Sequence, residues 1–245
     1  FILQTKQHTI MIDTGNILSK QKPPIYKGII KPFLNQQSIR KIDTLMITHF
    51  DHDHIANLPA LIQNHSINTI IHNGNLLKHP KWAQLIKKTP DIKTIPIKEP
   101  SHILLNKDIQ LTVLPTAVPL AESSKNNASL VTRIDIFDKS LLIMGDSEIE
   151  REMELLQSFP DIIDTDIIQI GHHGSKTSSS LEFLRKVSPQ IAIISCGTNN
   201  RYGHPHIQTI QTLNHLSISH YLTSESGAIR LIFKQHKPIK IITGP

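Results

Sequence analysis

The 245-residue sequence has a single cysteine, Cys196, only ten glycines and only 4% aromatic residues. One thiol excludes an internal disulfide framework and any multi-cysteine zinc site, so there is no disulfide partner, and a metal held here is held by histidines and carboxylates. The shortage of aromatics leaves no extended base-stacking surface for a single nucleic-acid strand in evidence. No apolar run approaches the roughly 18 residues of a membrane span, and the start shows no charged segment followed by a cleavable apolar stretch. The chain is therefore expected to be soluble. Because it opens on Phe1 rather than Met, it is also expected to be cut from a longer protein. Acidic residues are outnumbered, 20 Asp and Glu against 26 Lys and Arg, and the formal charge of +6 favours polyanionic partners. What the chain does have is a hydrophobic fraction of 38%, enough for a sizeable core, and 15 histidines.

Apolar runs bounded by turn residues predict short strands at the start of the chain, then strands over 42–48, 67–72, 93–97, 103–105 and 109–114. Helical spacing is read at 26–36, 55–64 and 80–88. Beyond an irregular Pro-, Ala-, Ser- and Asn-rich stretch at 115–128, the best candidate midpoint, strands recur at 130–137, 140–144, 167–170 and 191–194. Further strands lie near Tyr221 and over 228–233 and 239–242. Helices are expected over 148–159, 180–187 and 206–216. Two β-rich halves, each needing a helical cover on one sheet face, imply a four-layer α/β arrangement within a single domain spanning 1–245.

The histidines cluster with carboxylates. His49-Phe50-Asp51-His52-Asp53-His54 follows an apolar strand and precedes a helix, where α/β proteins present functional loops. Alternation along an extended run puts 49, 51 and 53 on one side, with His54 brought round by the turn into the helix. Imidazole nitrogen together with carboxylate oxygen suits Zn²⁺ or Mn²⁺, whereas an all-oxygen set suits Mg²⁺ or Ca²⁺.

His49-x-Asp51-x-Asp53-His54 resembles the metallo-β-lactamase superfamily signature His-x-His-x-Asp-His. Asp in place of the second His is the pattern of one branch, the ComEC-type competence DNA-uptake proteins, in their C-terminal metallo-β-lactamase-like domain. The resemblance implies the αββα sandwich of that superfamily, the same architecture reached from element order. Further stations match in order. Asp13-Thr14-Gly15 resembles the early turn whose Asp supports the metal loop. Asn126-Asn127-Ala128-Ser129-Leu130-Val131 and then Gly145-Asp146 resemble the family's Asn-Asn-Ser-Leu-Val strand and Gly-Asp station, so that Asp146 is implied to bridge two metals. His172-His173-Gly174-Ser175 resembles the His-His-Gly-Ser motif; one of the two histidines completes the second metal site, and the facing of each side chain is left open by the break at Gly171. Ser195 to Pro205 matches the branch's Ser-x-Gly-x-x-Asn-x-Tyr-Gly-His-Pro, placing Asn200, Tyr202 and His204 on the substrate side of the metals. There are departures. Ala56-Asn57 stands where the family has Gly-Gly, and the usual extra histidine between stations has no counterpart, since His72 and His79 lack its context. The family's opening strand is also missing before Phe1, consistent with a trimmed chain.

The implied metal ligands are His49, Asp51, Asp53, His54, Asp146, His172 and His173, with two divalent ions, Mn²⁺ or Zn²⁺, as cofactors. Two such ions about 3.5–4 Å apart activate a water and clamp the oxygens of an in-line displacement at phosphorus, which is phosphodiester hydrolysis. Asp53 then serves catalysis as well as binding. His204 is placed to protonate the leaving oxygen, given an unperturbed histidine pKa of about 6.5. Ser175 and Asn200 are candidate donors to a phosphate oxygen, Asn200 and Tyr202 being equally readable as a loop-stabilising network. Lys20 to Lys31 and Lys176 border the site loops in sequence and suit phosphate contacts. The leading expectation is a nuclease that degrades one DNA strand during uptake. It acts beside membrane channel segments of the same longer protein on the extracytoplasmic face of a bacterial membrane, or in the cytoplasm if the chain stands alone. The alternatives are a hydrolase of another small phosphodiester or acyl substrate, and a metal-stabilised DNA-binding module without turnover.

Overall fold

The computed structural model describes residues 1–16, 25–119 and 122–244. The chain divides into two compact units, Phe1–Glu99 with Leu120–Leu130, and Pro100–Pro119 with Val131–Pro245.

The first unit carries β1 (Ile2–Gln4), β2 (Thr9–Ile12), α1 (Lys31–Gln36), β3 (Lys41–Ile47), α2 (His52–Ile55), α3 (Leu58–Asn64), β4 (Ser66–His72), α4 (Pro80–Lys87) and β5 (Lys93–Pro96). A π-helical stretch, Tyr26–Ile30, leads directly into α1. The sheet runs β1-β2-β3-β4-β5, with β1 antiparallel to β2 and the remaining neighbours parallel. Central parallel strands read as near-continuous apolar runs because both of their faces are covered, and Leu45, Met46 and Ile47 of β3 are all fully buried. Ile42, Leu45 and Ile47 form a core with Leu34 of α1, Ile55 of α2, Leu58 and Leu61 of α3 and Trp82 of α4. Proline in the first turns of α3 and α4 fits positions where the missing N–H has no intrahelical partner.

The second unit carries β6 (Ser101–Asn106), β7 (Ile109–Leu114), β8 (Val131–Ile136), β9 (Lys139–Ile143), α5 (Ile149–Ser158), β10 (Ile167–Gln169), α6 (Leu181–Val187), β11 (Ile191–Ile194), α7 (Ile207–His215), β12 (Ser219–Leu222), α8 (Thr223–Ser226), β13 (Ala228–Ile232) and β14 (Lys240–Gly244). Seven strands make one sheet in the order β12-β11-β10-β9-β8-β7-β6, while β13 and β14 form a separate antiparallel pair. The β6 to β9 half is antiparallel and the β9 to β12 half parallel. Leu142, Ile168 and Ile194 pack with Leu155 of α5, Phe183 and Leu184 of α6 and Leu213 of α7. The Ser180 side chain caps α6 by accepting from the Phe183 N–H.

The α/β class and most strand positions agree with the sequence expectation. The midpoint at 115–128 does not: β6 and β7 lie before it in sequence but belong to the second sheet, and 120–130 returns to the first unit. The cause is pairing. β7 meets β8 in an unbroken antiparallel register from Ile109↔Ile136 to Leu114↔Val131.

At the end of β4, His72 is buried and its Nδ1 accepts from the Gly74 N–H at 3.0 Å. Burial lowers its pKa to about 4. Below pH ~6.5 the unfolded chain therefore takes up a proton that the native state refuses. The contribution is intact above pH 6.5 and is lost as pH falls toward 4, on the order of 2 kcal/mol after allowance for solvent screening. Urea unfolding between pH 4 and 7 should show a flatter pH dependence for His72→Asn than for the wild type; equal slopes would remove His72 as the cause.

Candidate functional site

Side chains of interest follow the carboxyl ends of parallel strands, the position at which open α/β sheets present ligands. In the first unit these are Asp13, after β2, and His49 to His54, after β3. Asp13 Oδ1 accepts the Thr48 N–H at 2.8 Å; its Oδ2 accepts the Thr48 hydroxyl and His54 Nδ1, each at 2.7 Å. Burial acts to raise the Asp13 pKa, but the charge and hydrogen bond of His54, the charge of His49 and the Thr48 N–H outweigh it and hold the carboxyl below its ordinary value.

This carboxylate sets the histidine tautomers. With Nδ1 donating to Asp13, the neutral His54 ring keeps its lone pair on Nε2, the arrangement that orients a metal-ligating imidazole. Thr48 directs its hydroxyl proton to Asp13 and so accepts from His49 Nδ1, 3.1 Å away, leaving the His49 lone pair on Nε2 as well. The two rings lie 4.1 Å apart, centroid to centroid. A carboxylate oxygen of Asp53 and a ring nitrogen of His54 come within 4.8 Å of each other.

The expected extended run through 49, 51 and 53 stops at Asp51, whose ψ of 151° is still strand-like. From His52 the backbone is helical, with the His54 and Ile55 N–H groups bonding the Asp51 carbonyl at 3.0 and 3.2 Å. Asp53 and His54 are thus presented by the first turn of a helix, where neighbouring side chains diverge by the helical rather than the strand period. Asp51 meets Lys125 at 3.4 Å in a partly exposed ion pair of the kind worth at most ~1 kcal/mol. The predicted helix over 55–64 is also interrupted, between α2 and α3. There Asn57, 2% exposed, directs its side-chain N–H groups at the carbonyls of Thr14, Gly15 and Asn16 at 2.9–3.0 Å. Asn57 thereby fixes the loop that carries Asp13, a role for which the sequence holds no local signal.

In the second unit Asp146 follows β9 and is buried. Its loop is held by Gln169 at the end of β10, whose Oε1 accepts the Met144 and Gly145 N–H groups at 2.9 and 3.0 Å. His172, His173 and Gly174 then run in the left-handed region, with φ of 46°, 56° and 81°. The two histidines separate. His172 Nδ1 lies 3.1 Å from Glu148 Oε1. His173 Nδ1 donates to the Ser195 carbonyl at 2.7 Å, which leaves the neutral ring's lone pair on Nε2, 3.6 Å from Asp146 Oδ1. Close approach dictates the glycines: a Cβ on Gly171 would stand 2.5 Å from the Ser147 carbonyl oxygen, and one on Gly174 would stand 2.6 Å from Pro205 Cβ.

Ser175 and Asn200, the candidate donors to a phosphate oxygen, have their donors engaged within loops. Thr177 donates to Glu148 at 2.7 Å and so accepts the Ser175 proton across 2.9 Å. Asn200 Nδ2 meets the Gly197 and His204 carbonyls at 3.0 and 2.6 Å, and its Oδ1 accepts the His204 N–H. Asn200 therefore positions His204. The pKa of His204 is lowered to about 4, first by burial and then by His172, His206 and His173, with Asp146 opposing. A pKa near 4 leaves His204 a neutral imidazole at pH 7. Lys176 is exposed, as are Lys27 and Lys31; Lys20 and Lys22 lie outside the described residues.

Among the described residues no helix is long and apolar enough to cross a membrane. Over 236 residues the chain is 34% identical to ComE operon protein 3 of Bacillus subtilis (strain 168), covering 92% of this chain and 30% of that protein. Over 235 residues it is 26% identical to competence protein ComA of Neisseria gonorrhoeae, covering 94% and 30%. It thus spans well under half the length of either relative. The crystal structure of Zn²⁺-bound PqqB from Methylobacterium extorquens superposes with a TM-score of 0.57 at 10% identity, covering 90% of this chain and 84% of that one, a likeness of fold. The model of the metallo-beta-lactamase superfamily matches residues 1–198. A match that runs through strands of both large sheets fixes the family: the chain belongs to the metallo-beta-lactamase superfamily.

Proposed function

We propose that this metallo-β-lactamase-superfamily hydrolase cleaves phosphodiester bonds of DNA and degrades one strand during competence DNA uptake, as part of a longer protein with membrane channel segments. The observation that carries the metal-dependent reading is the pairing of Asp146 with the lone-pair nitrogen of His173. At 3.6 Å, beyond hydrogen-bond length, a carboxylate oxygen and a neutral imidazole nitrogen present the donor chemistry of a Zn²⁺- or Mn²⁺-type ion. His49, Asp53 and His54 offer the same donor set in the first unit. The DNA substrate rests on similarity to the competence proteins and on the +6 formal charge.

Bound divalent ions supply Lewis acidity toward phosphoryl oxygens and lower the pKa of water. The chain's own residues do the rest. Asp13 holds His54 in the ligating tautomer, the Ser195 carbonyl does so for His173, and Gln169 fixes the Asp146 loop. The neutral ring of His204 can hydrogen-bond a phosphate ester, whose negative charge favours protonation of the ring and thereby restores a proton donor for the leaving oxygen.

The test is cleavage of a single-stranded oligonucleotide by the purified chain with Mn²⁺, Zn²⁺ or Mg²⁺, each with and without chelator. Cleavage that needs the ion is expected. No cleavage with any of the three, or cleavage that survives chelation, would overturn the proposal.

A further inference from the structure

The loop between β11 and α7 carries two planar groups, Arg201 and Tyr202, that the chemistry above does not use, and they continue a stack that starts at His173 and His204. His204 stacks on His173 with ring centroids 6.2 Å apart and 24° between planes. Tyr202 stacks on His204 at 5.7 Å and 23°. The Arg201 guanidinium lies over the Tyr202 ring, 4.6 Å from its centroid, and a guanidinium nitrogen meets the Tyr202 hydroxyl. One end of the series is therefore His173, beside Asp146, and the other opens to solvent: Tyr202 is 59% exposed. A large aromatic side chain gains little from such exposure unless something covers it.

We propose that Tyr202, with Arg201, is a stacking site for a nucleobase adjacent to the phosphodiester being cut, so that the substrate is an unpaired strand whose bases are free to stack. This rests on the phosphodiesterase reading and adds a substrate class to it. An exposed guanidinium–aromatic contact is worth only roughly 2- to 5-fold in an equilibrium, whereas a stacked base is worth roughly 5- to 150-fold. A base therefore displaces Arg201 from the ring, and the freed guanidinium remains near enough to pair with a phosphate. The low aromatic content does not oppose this, because one well-placed ring serves one base.

The test is direct binding, by fluorescence anisotropy, of a labelled oligothymidylate and of an abasic oligonucleotide of equal length, to wild type, Tyr202→Ala and Tyr202→Phe. The wild type should bind the thymidylate at least 5-fold more tightly. Tyr202→Ala should lose that preference, and Tyr202→Phe, which keeps the ring, should retain it. Equal affinities of the wild type for the two strands, or a preference that survives in Tyr202→Ala, would overturn the proposal, as would failure to bind either strand. Because binding is read without turnover, base-selective binding without cleavage would fault the nuclease reading alone. Metal-dependent cleavage without base-selective binding would fault the stacking site alone.

Discussion

Replacing Asp146 by Asn should lower metal-dependent hydrolysis at least ~100-fold while leaving the fold intact. The substitution preserves volume but replaces a carboxylate oxygen by an amide NH₂, removing the charge in a buried position where it faces His173 Nε2. Charge acting in a water-poor site contributes far more than on the surface, and removal of one preorganised electrostatic group from an active site typically costs 10²- to 10³-fold. The measurements are initial rates on the oligonucleotide and the metal content of the protein by elemental analysis, with the melting temperature as a check on folding. Turnover within a few-fold of wild type, or undiminished metal content, would rule out Asp146 as a ligand.

The largest effect on stability should come from Glu154→Ala, a loss of about 3 kcal/mol or more. The Arg151 side chain is fully buried in α5, with Nη1 2.6 Å from Glu154 Oε1 and Nη2 donating to the Leu114 carbonyl at 2.9 Å. Burial depresses the Arg151 pKa and Glu154 opposes that depression. Glu154 also accepts from the Thr116 hydroxyl and the Ala117 N–H, tying the segment after β7 to α5. Removing it strands a buried cation, and breaking such a pair from one side costs ~3–5 kcal/mol, whereas an apolar replacement of both partners is often close to neutral. Urea unfolding of Glu154→Ala, Arg151→Met and the Arg151→Met/Glu154→Leu double variant separates the cases. The double variant should be more stable than Glu154→Ala; if Glu154→Ala costs less than ~1 kcal/mol, the pair does not anchor this end of the sheet.

Much of this molecule is legible in its sequence. Strands such as β3 and β10 announce themselves by continuous apolar runs, and His49 to His54, Asp146 and His172-His173 stand out because their residue types suit one chemistry. What could not be read depends on backbone geometry and on partners distant in sequence. The change from strand to helix at His52 sets which way Asp53 points, and hydrogen bonds to the Asp51 carbonyl accompany it. The choice between His172 and His173 depends on two positive φ angles. Asn57 and Gln169 act on backbone groups some 24 to 43 residues away, so nothing beside them in sequence marks their roles. The depressed pKa of His204 comes from burial, from His172 and His173 on one distant segment and from nearby His206, and the burial and the distant pair are not visible in its own motif. The second unit's ownership of β6 and β7 follows from a register with β8, which local periodicity does not encode.

The left-handed run at His172 and His173 carries a liability as well as a geometry. Each non-glycine residue held there costs on the order of 1–3 kcal/mol, a strain that glycine or asparagine would relieve. Selection for thermal tolerance alone would therefore erode these two positions early and yield hardier proteins that no longer present the His173 ring to Asp146. Under the proposed ligand role of His173, stability and ligation compete at this turn, and any effort to make the chain more robust must score function in the same round.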